Sequence, residues 1–496
     1  MLFDEDNRLK QRDFWLLGVI TFLGVLHRLF LARGILPYIR NTDEVVNMNV
    51  VLQMLGTRTL NPHFFNYPSL WFYLQAADQV LYQAVMSVVK LAWVRPGEIS
   101  TITFGITRVE DIGQFFLARA LSVLIGGLLT IAAVWLSYLI SRDRRVALLT
   151  AALVTISPPI VYSASVATPD ILAGLSATLF LCCVLLLFRQ NNFVVIALVG
   201  ITLGLTAASK YNAVVLGIAL LFPVLKGILS IKQFALVLAL SSLAFVLLVP
   251  YSILDFHSFI DGLQGEITHY STGHLGAQGN SLGTNIGWLY NSIGPLSLFA
   301  PAVFFSRNRK NAIVVATSVV VFTLVLSVPL VRFERNLVPV FGALIALAAF
   351  GLISIVDRLR GKLQKVLVVV ISCVLVLAPL HALVVMTSKT FEDPVSQSRN
   401  WLNQNAKAQD LIILDVYAPY IEPTRFQIVT DSNILENLDS LLAMKPHFVV
   451  LTKGGALRSI ESRDRLTLNN LEKLNSLSCE KLVFDDENVE LFQLKC

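Results

Sequence analysis

Charge is what this sequence has least of. Only 15% of its 496 residues are Asp, Glu, Lys or Arg, where a soluble globular chain carries about a quarter. Apolar residues make up 55%, and mean hydropathy is +0.68. That balance excludes an ordinary soluble globule and implies an integral membrane protein. In lipid each backbone amide must be bonded within its own segment, so the chain reads as an α-helical polytopic protein. The net charge of +6 implies no nucleic acid, because much of it lies in short loops where it sets topology. Cysteine is also scarce. Cys182, Cys183 and Cys373 fall inside apolar runs, Cys479 and Cys496 fall in a polar tail, and no C-x-x-C pair suggests a metal site. P-loop and G-x-G-x-x-G signatures are missing, so no nucleotide is implied. The N-terminus has no small-residue cleavage site, so its first apolar run reads as an anchor.

Apolar runs long enough to span a bilayer number about eleven. They lie near 14–32, 116–140, 145–163, 168–188, 193–208, 211–226, 233–254, 286–306, 312–330, 336–356 and 366–388. With Lys10 and Arg12 placed in the cytoplasm, alternate loops should be basic. Arg142, Arg144 and Arg145 fall on that side, as do Arg189, Lys226, Lys232, Arg309, Lys310, Arg358 and Lys365. The opposite loop "DFHSFIDGLQGEITHYSTGHLGAQGNSLGTN" has no Lys or Arg. The odd number of spans then puts residues 389–496 outside the cytoplasm.

Two domains are expected: a transmembrane domain over 1–388 and an extracytoplasmic α/β domain over 389–496. Residues 33–115 form a long outer loop with one or two interfacial helices, where Trp71, Tyr73, Tyr82 and Trp93 suit the membrane surface. In the tail, "LIILDV", "FQIV" and "HFVVL" read as strands. "KLVFD" and "VELFQLKC" read as a hairpin about "DENV", which would set Cys479 opposite Cys496. A disulfide there suits an oxidising compartment, and two free thiols are the alternative.

The polar residues that remain collect on one side of the membrane. Asp43 and Glu44 follow the first span in "RNTDEVVNMNVV". Asp170 opens the fourth in "VATPDILAG". Lys210 sits at a helix junction in "ASKYN". Arg332, Glu334 and Arg335 lie in "VRFERNLVP" before the tenth. Each has an ordinary reading as a helix cap, a snorkelling cation or a local ion pair. Charged groups at membrane depth are costly, however, and their convergence points to a site. A carboxylate can take the proton of an acceptor hydroxyl, and fixed cations can hold a phosphate as it leaves. A phosphate at the membrane surface points to a lipid carrier.

These segments resemble the GT-C-fold glycosyltransferases that use polyprenyl-phosphate sugars, notably protein O-mannosyltransferases and lipid A aminoarabinose transferases. The likeness lies in the pair Asp43–Glu44, "YPSLWFYL" (Tyr67–Leu74), "ARALSVLIGGLLT" (Ala118–Thr130), "SPPIVYSASVATPDI" (Ser157–Ile171), "GLTAASKYNAVV" (Gly204–Val215) and "RFERNLVPV" (Arg332–Val340). It implies a GT-C fold and an inverting transfer from a polyprenyl-phosphate sugar to an extracytoplasmic hydroxyl, in a bacterial or archaeal membrane. Asp43 would be the general base, with Glu44 and Asp170 as further acids. Lys210 and Arg332 or Arg335 would hold the donor phosphate. Tyr67, Tyr211, His269 and Glu334 would line the cavity. The acceptor class stays open among glycan, lipid and protein. "YPS" stands where relatives have two prolines, and the tail is not the β-trefoil of eukaryotic members.

No cofactor is required by this chemistry. His257, His269 and His274 with Asp261 or Glu266 would permit a divalent metal, but their spacing fits no zinc pattern. Two other functions compete. A flippase for lipid-linked glycans would favour internal repeats with broken helices, and no clear repeat is seen. A whole-glycan transferase or ligase would differ only in the size of its substrate.

Overall fold

The computed structural model describes residues 9–496 apart from 35, 40, 90–106, 109–110, 274–276, 278, 307–308, 360, 392–393, 458–464, 485–488 and 496. The transmembrane part opens with α1 (Gln11–Arg33), β1 (Tyr38–Ile39), α2 (Thr42–Thr57) and α3 (Leu70–Val89). Next come β2 (Thr107–Arg108), α4 (Ile112–Ser141), α5 (Arg144–Ile156), α6 (Pro158–Ser165), α7 (Asp170–Leu187) and α8 (Phe193–Ser209). Strand β2 pairs antiparallel with β1, closing the 33–115 segment at its base.

Among the described residues, seven helices are long and apolar enough to cross a bilayer, or eight if α5 and α6 count as one span. The bend of 59° between α5 and α6 has a sequence cause. Pro158 and Pro159 cannot continue the preceding hydrogen-bond ladder, but they suit the first turn of a new helix. The other expected spans fall on shorter apolar helices, Phe193–Ser209, Tyr211–Leu225 and Gly294–Phe305. Helix α4, with 30 residues, is about 45 Å long. It outreaches a hydrocarbon core of about 30 Å.

Helices α4, α7 and Val338–Arg358 form the centre of the bundle, and each buries most of its length. By contrast, Ile231–Leu248 turns most of its apolar surface outward, as a lipid-facing helix must. It can lie close to α8 because Gly200 and Gly204 face its backbone with no side chain between them.

Helix α3 carries a row of amides, Gln75, Gln79 and Gln83, spaced one turn apart and all buried. Gln75 donates to the Ala118 carbonyl at 3.1 Å and Gln79 to the Gln114 carbonyl at 3.4 Å, which seats α3 on α4. Trp71, expected near the membrane surface, is fully buried in this packing. Trp93 lies outside the described residues.

The tail folds as a five-stranded sheet in the order β4-β3-β5-β7-β6. Its strands are β3 (Leu411–Leu414), β4 (Gln427–Thr430), β5 (Phe448–Thr452), β6 (Glu480–Phe484) and β7 (Val489–Gln493). Strands β4, β3 and β5 are parallel, and β7 joins β5 antiparallel. The expected hairpin is β6–β7, registered from Glu480↔Gln493 to Phe484↔Val489. Helix Pro394–Asn405 covers one face of the sheet, and Leu438–Ala443 with Arg465–Leu477 covers the other. Cys479 is disulfide-bonded. Cys496, its expected partner, lies outside the described residues.

Candidate active site

Helix α2 places the paired acids. Asn41 caps it, accepting the Asp43 amide at 3.0 Å, as a helix-start Asn does. Consecutive residues on a helix point about 100° apart, so Asp43 and Glu44 meet different surroundings. Asp43 stays partly exposed, with 24% of its side chain accessible. Its Oδ2 is in a close ion pair with Arg335 Nη1 and accepts from the Tyr67 hydroxyl at 3.4 Å. Burial, and then the nearby Asp170, Tyr270 and Glu266, push the Tyr67 phenol well above its usual range. Tyr67 therefore keeps its proton and donates.

Glu44 turns inward and is buried. Arg119 of α4 grips it bidentately, Nε to Oε1 at 2.8 Å and Nη2 to Oε2 at 2.9 Å. The Ala167 amide adds a third bond at 2.7 Å. Arg119 also donates to the Ala32 carbonyl at 2.9 Å. One buried ion pair thus joins the end of α1, the start of α2, α4 and the loop before α7.

Asp170 opens α7 beside Pro169. Its Oδ1 accepts from Lys210 Nζ at 2.6 Å and its Oδ2 from Thr168 Oγ1 at 3.0 Å. Lys210 is itself buried at the end of α8, so its ammonium is matched by Asp170 inside the protein. Arg335 and Glu334 lie in a short 3-10 turn, Glu334–Leu337, that leads into Val338–Arg358. Arg332 precedes that turn, and its amide donates to the Ala277 carbonyl at 2.7 Å.

A cavity of about 900 Å³ opens between these elements. Asn41, Thr42, Thr168, Asp170, Glu334 and Arg335 supply its polar wall. Tyr162, Tyr290, Phe333 and Pro379 supply its apolar wall. A second cavity of about 480 Å³ adjoins it through shared residues Asn41, Tyr162 and Met386.

Of the expected site residues, Asp170, Glu334 and Arg335 line the larger cavity; Asp43 and Tyr67 do not, but Asp43 pairs with Arg335 and accepts from Tyr67. Glu44 borders the smaller cavity. Tyr211 donates to the Phe65 carbonyl at 3.1 Å and packs on Phe259. His269 lies against Tyr270 on helix Phe256–Thr272. Lys210, Arg332, Tyr211 and His269 do not line the larger cavity.

Among the described residues, no three His, Cys, Asp or Glu side chains come together as metal ligands. His257 pairs with Asp261 at 3.5 Å, and Glu266 accepts from Asn66 at 3.1 Å. His274 lies outside the described residues.

Sequence reasoning missed Arg119. Its signal was present: an arginine inside an apolar run needs a buried acid, and Glu44 was available.

Comparison with known proteins bears on the fold. Residues 80–260 match the family model of the dolichyl-phosphate-mannose-protein mannosyltransferases. No curated protein matches in sequence. The fold resembles ArnT from Cupriavidus metallidurans, solved bound to undecaprenyl phosphate, with TM-score 0.56 and 12% identity over 97% of this chain and 98% of that one. It also resembles the oligosaccharyltransferase AglB from Archaeoglobus fulgidus, solved with an inhibitory peptide and a dolichol-phosphate. That match has TM-score 0.51 and 12% identity over 89% of this chain and 70% of that one. These matches show the GT-C fold in a helical membrane protein, with the mannosyltransferase family model matching residues 80–260 of the 496.

Proposed function

We propose that this chain moves a sugar from a polyprenyl-phosphate donor to a hydroxyl on an extracytoplasmic acceptor, with Asp43 as the general base. The observation that carries the reading is the ion pair between Asp43 and Arg335, the latter lining the large cavity. A carboxylate held by a guanidinium is a weak base. The phosphate of the donor competes for Arg335, since arginine suits phosphate at least as well as carboxylate. When Arg335 moves to the phosphate, Asp43 is released at the moment a base is needed. The acceptor oxygen then bonds to the anomeric carbon as Asp43 takes its proton. The bond from that carbon to the phosphate oxygen breaks, and its electrons leave with the polyprenyl phosphate. Attack opposite the leaving phosphate inverts the anomeric centre.

The other residues take supporting parts in this scheme. Lys210 holds Asp170, so Arg335 is the cation for the donor phosphate. Glu44 positions Asp43 through Arg119. The large cavity, with a polar wall at Asp170, Glu334 and Arg335 and an apolar wall at Phe333 and Pro379, fits a sugar phosphate on an apolar carrier. The distribution of Lys and Arg supports an extracytoplasmic site.

The direct test is release of undecaprenyl phosphate from a panel of undecaprenyl-phosphate-linked hexoses and pentoses, read by mass spectrometry on the full-length protein. Release from at least one donor is expected. No release, with labelled donor crossing a vesicle bilayer instead, would show a transporter and overturn the reading. Arg335→Ala is expected to weaken undecaprenyl phosphate binding by about tenfold to a hundredfold, the scale of a charge-assisted hydrogen bond. Unchanged affinity would remove Arg335 from the donor site.

A further inference from the structure

Four carboxylates belong to this site, and three of them have a cation. Asp43 pairs with Arg335, Glu44 with Arg119 and Asp170 with Lys210. Among the described residues, Glu334 has no ion pair and accepts no hydrogen bond. Yet it lines the large cavity beside Arg335 and is only partly exposed. A carboxylate drawn partly out of water without donors costs free energy, and a ligand that brings donors recovers it.

The turn that carries Glu334 is anchored on both sides. Before it, the Arg332 amide donates to the Ala277 carbonyl at 2.7 Å. Within it, Asn336 is buried, and its Nδ2 donates to the Tyr270 hydroxyl at 2.9 Å. Leu337 and Val338 then enter the bundle fully buried. The Arg335 guanidinium lies 4.8 Å from the centre of the Phe333 ring, which is part of the cavity's apolar wall. Three consecutive residues, Phe333, Glu334 and Arg335, thus present an aromatic ring, an acid and a cation to one cavity.

We propose that Glu334 contacts the donor's sugar, accepting hydrogen bonds from its hydroxyls while Arg335 holds the phosphate. In such a donor the sugar is bonded directly to a phosphate oxygen. A sugar whose phosphate lies on Arg335 is therefore a neighbour of the residue next to Arg335 in the same cavity. Glu334 cannot take the phosphate itself, because like charges repel. It suits hydroxyls, because an ionised carboxylate only accepts and has room for two donors. Hydrogen bonds to a charged acceptor are also the stronger kind. The Phe333 ring offers an apolar surface for the sugar's C–H face. The inference rests on Arg335 being the cation for the donor phosphate. It makes the donor a neutral, hydroxyl-bearing sugar and assigns the choice of that sugar to Glu334.

The test is equilibrium binding to the full-length protein in detergent. The probes are undecaprenyl phosphate and a panel of undecaprenyl-phosphate-linked neutral hexoses and pentoses. The wild type is expected to bind at least one sugar-bearing lipid roughly tenfold more tightly than undecaprenyl phosphate, the scale of hydrogen bonds to a charged group. Glu334→Gln keeps the shape of the side chain and is expected to lose most of that tenfold. Glu334→Asp, which keeps the charge but withdraws it by one methylene, should act in the same direction. Undecaprenyl phosphate, which has no sugar, should bind both variants as it binds the wild type. Equal loss for both kinds of lipid would make Glu334 a support for Arg335 or the fold, and would overturn the proposal. So would unchanged binding of the sugar-bearing lipids, or a wild type that binds none of them more tightly than undecaprenyl phosphate. The expected binding pattern without release of undecaprenyl phosphate from any donor would overturn the transferase reading and leave the sugar contact standing.

Discussion

Asp43→Asn is expected to lower sugar transfer by about 10²- to 10⁴-fold, the usual contribution of a positioned general base. The amide keeps the size and shape of the carboxylate. It also keeps the start of α2, because Asn41 and not Asp43 caps that helix. What it loses is proton affinity and charge. The loss of charge has a second consequence of opposite sign. In the empty site Arg335 is paired with Asp43, so donor phosphate must compete with that carboxylate. A neutral amide offers no such competition, and undecaprenyl phosphate should bind the variant severalfold more tightly. Rate and affinity therefore move in opposite directions, which a misfolded protein cannot imitate. Equal transfer by variant and wild type would remove Asp43 from the mechanism. Weaker phosphate binding by the variant would sink the exchange of Arg335 between carboxylate and phosphate.

The helices were legible because length and hydropathy suffice for a span. Each expected run falls on a helix, including the short ones after Ser209, where the chain passes into a 3-10 turn over Tyr211–Leu220. The tail strands were legible from their β-branched and aromatic runs between turn residues. Partners were not legible. Nothing in "RNTDEVV" says that Asp43 meets Arg335 while Glu44 meets Arg119, since a rotation of one residue on the helix decides it. Nor does "ASKYN" reveal that Lys210 ends 2.6 Å from Asp170. A buried lysine will be matched by some acid, but which acid depends on how α7 and α8 pack.

Removing one partner of the Glu44–Arg119 pair should be the most damaging change to stability. Glu44 and Arg119 side chains are 0% and 7% exposed, so neither charge can turn to water. Arg119→Leu leaves a buried carboxylate with only the Ala167 amide, and Glu44→Leu leaves a buried guanidinium with only the Ala32 carbonyl. Each is expected to destabilise the fold by about 3–5 kcal/mol, the scale of an uncompensated buried charge. Thermal midpoints in detergent and the yield of monodisperse protein would report it. The double variant Glu44→Leu, Arg119→Leu removes both charges and should regain most of the loss, leaving only the Ala167 amide and Ala32 carbonyl without their bonds. If the double variant is as unstable as the worse single one, the loss comes from packing and not from unpaired charge. If the single variants keep wild-type stability, the pair is not what fixes the start of α2. In that case the activity of the folded fraction decides whether Glu44 acts in the reaction, because a positioning residue that does not hold the structure has no other route to Asp43.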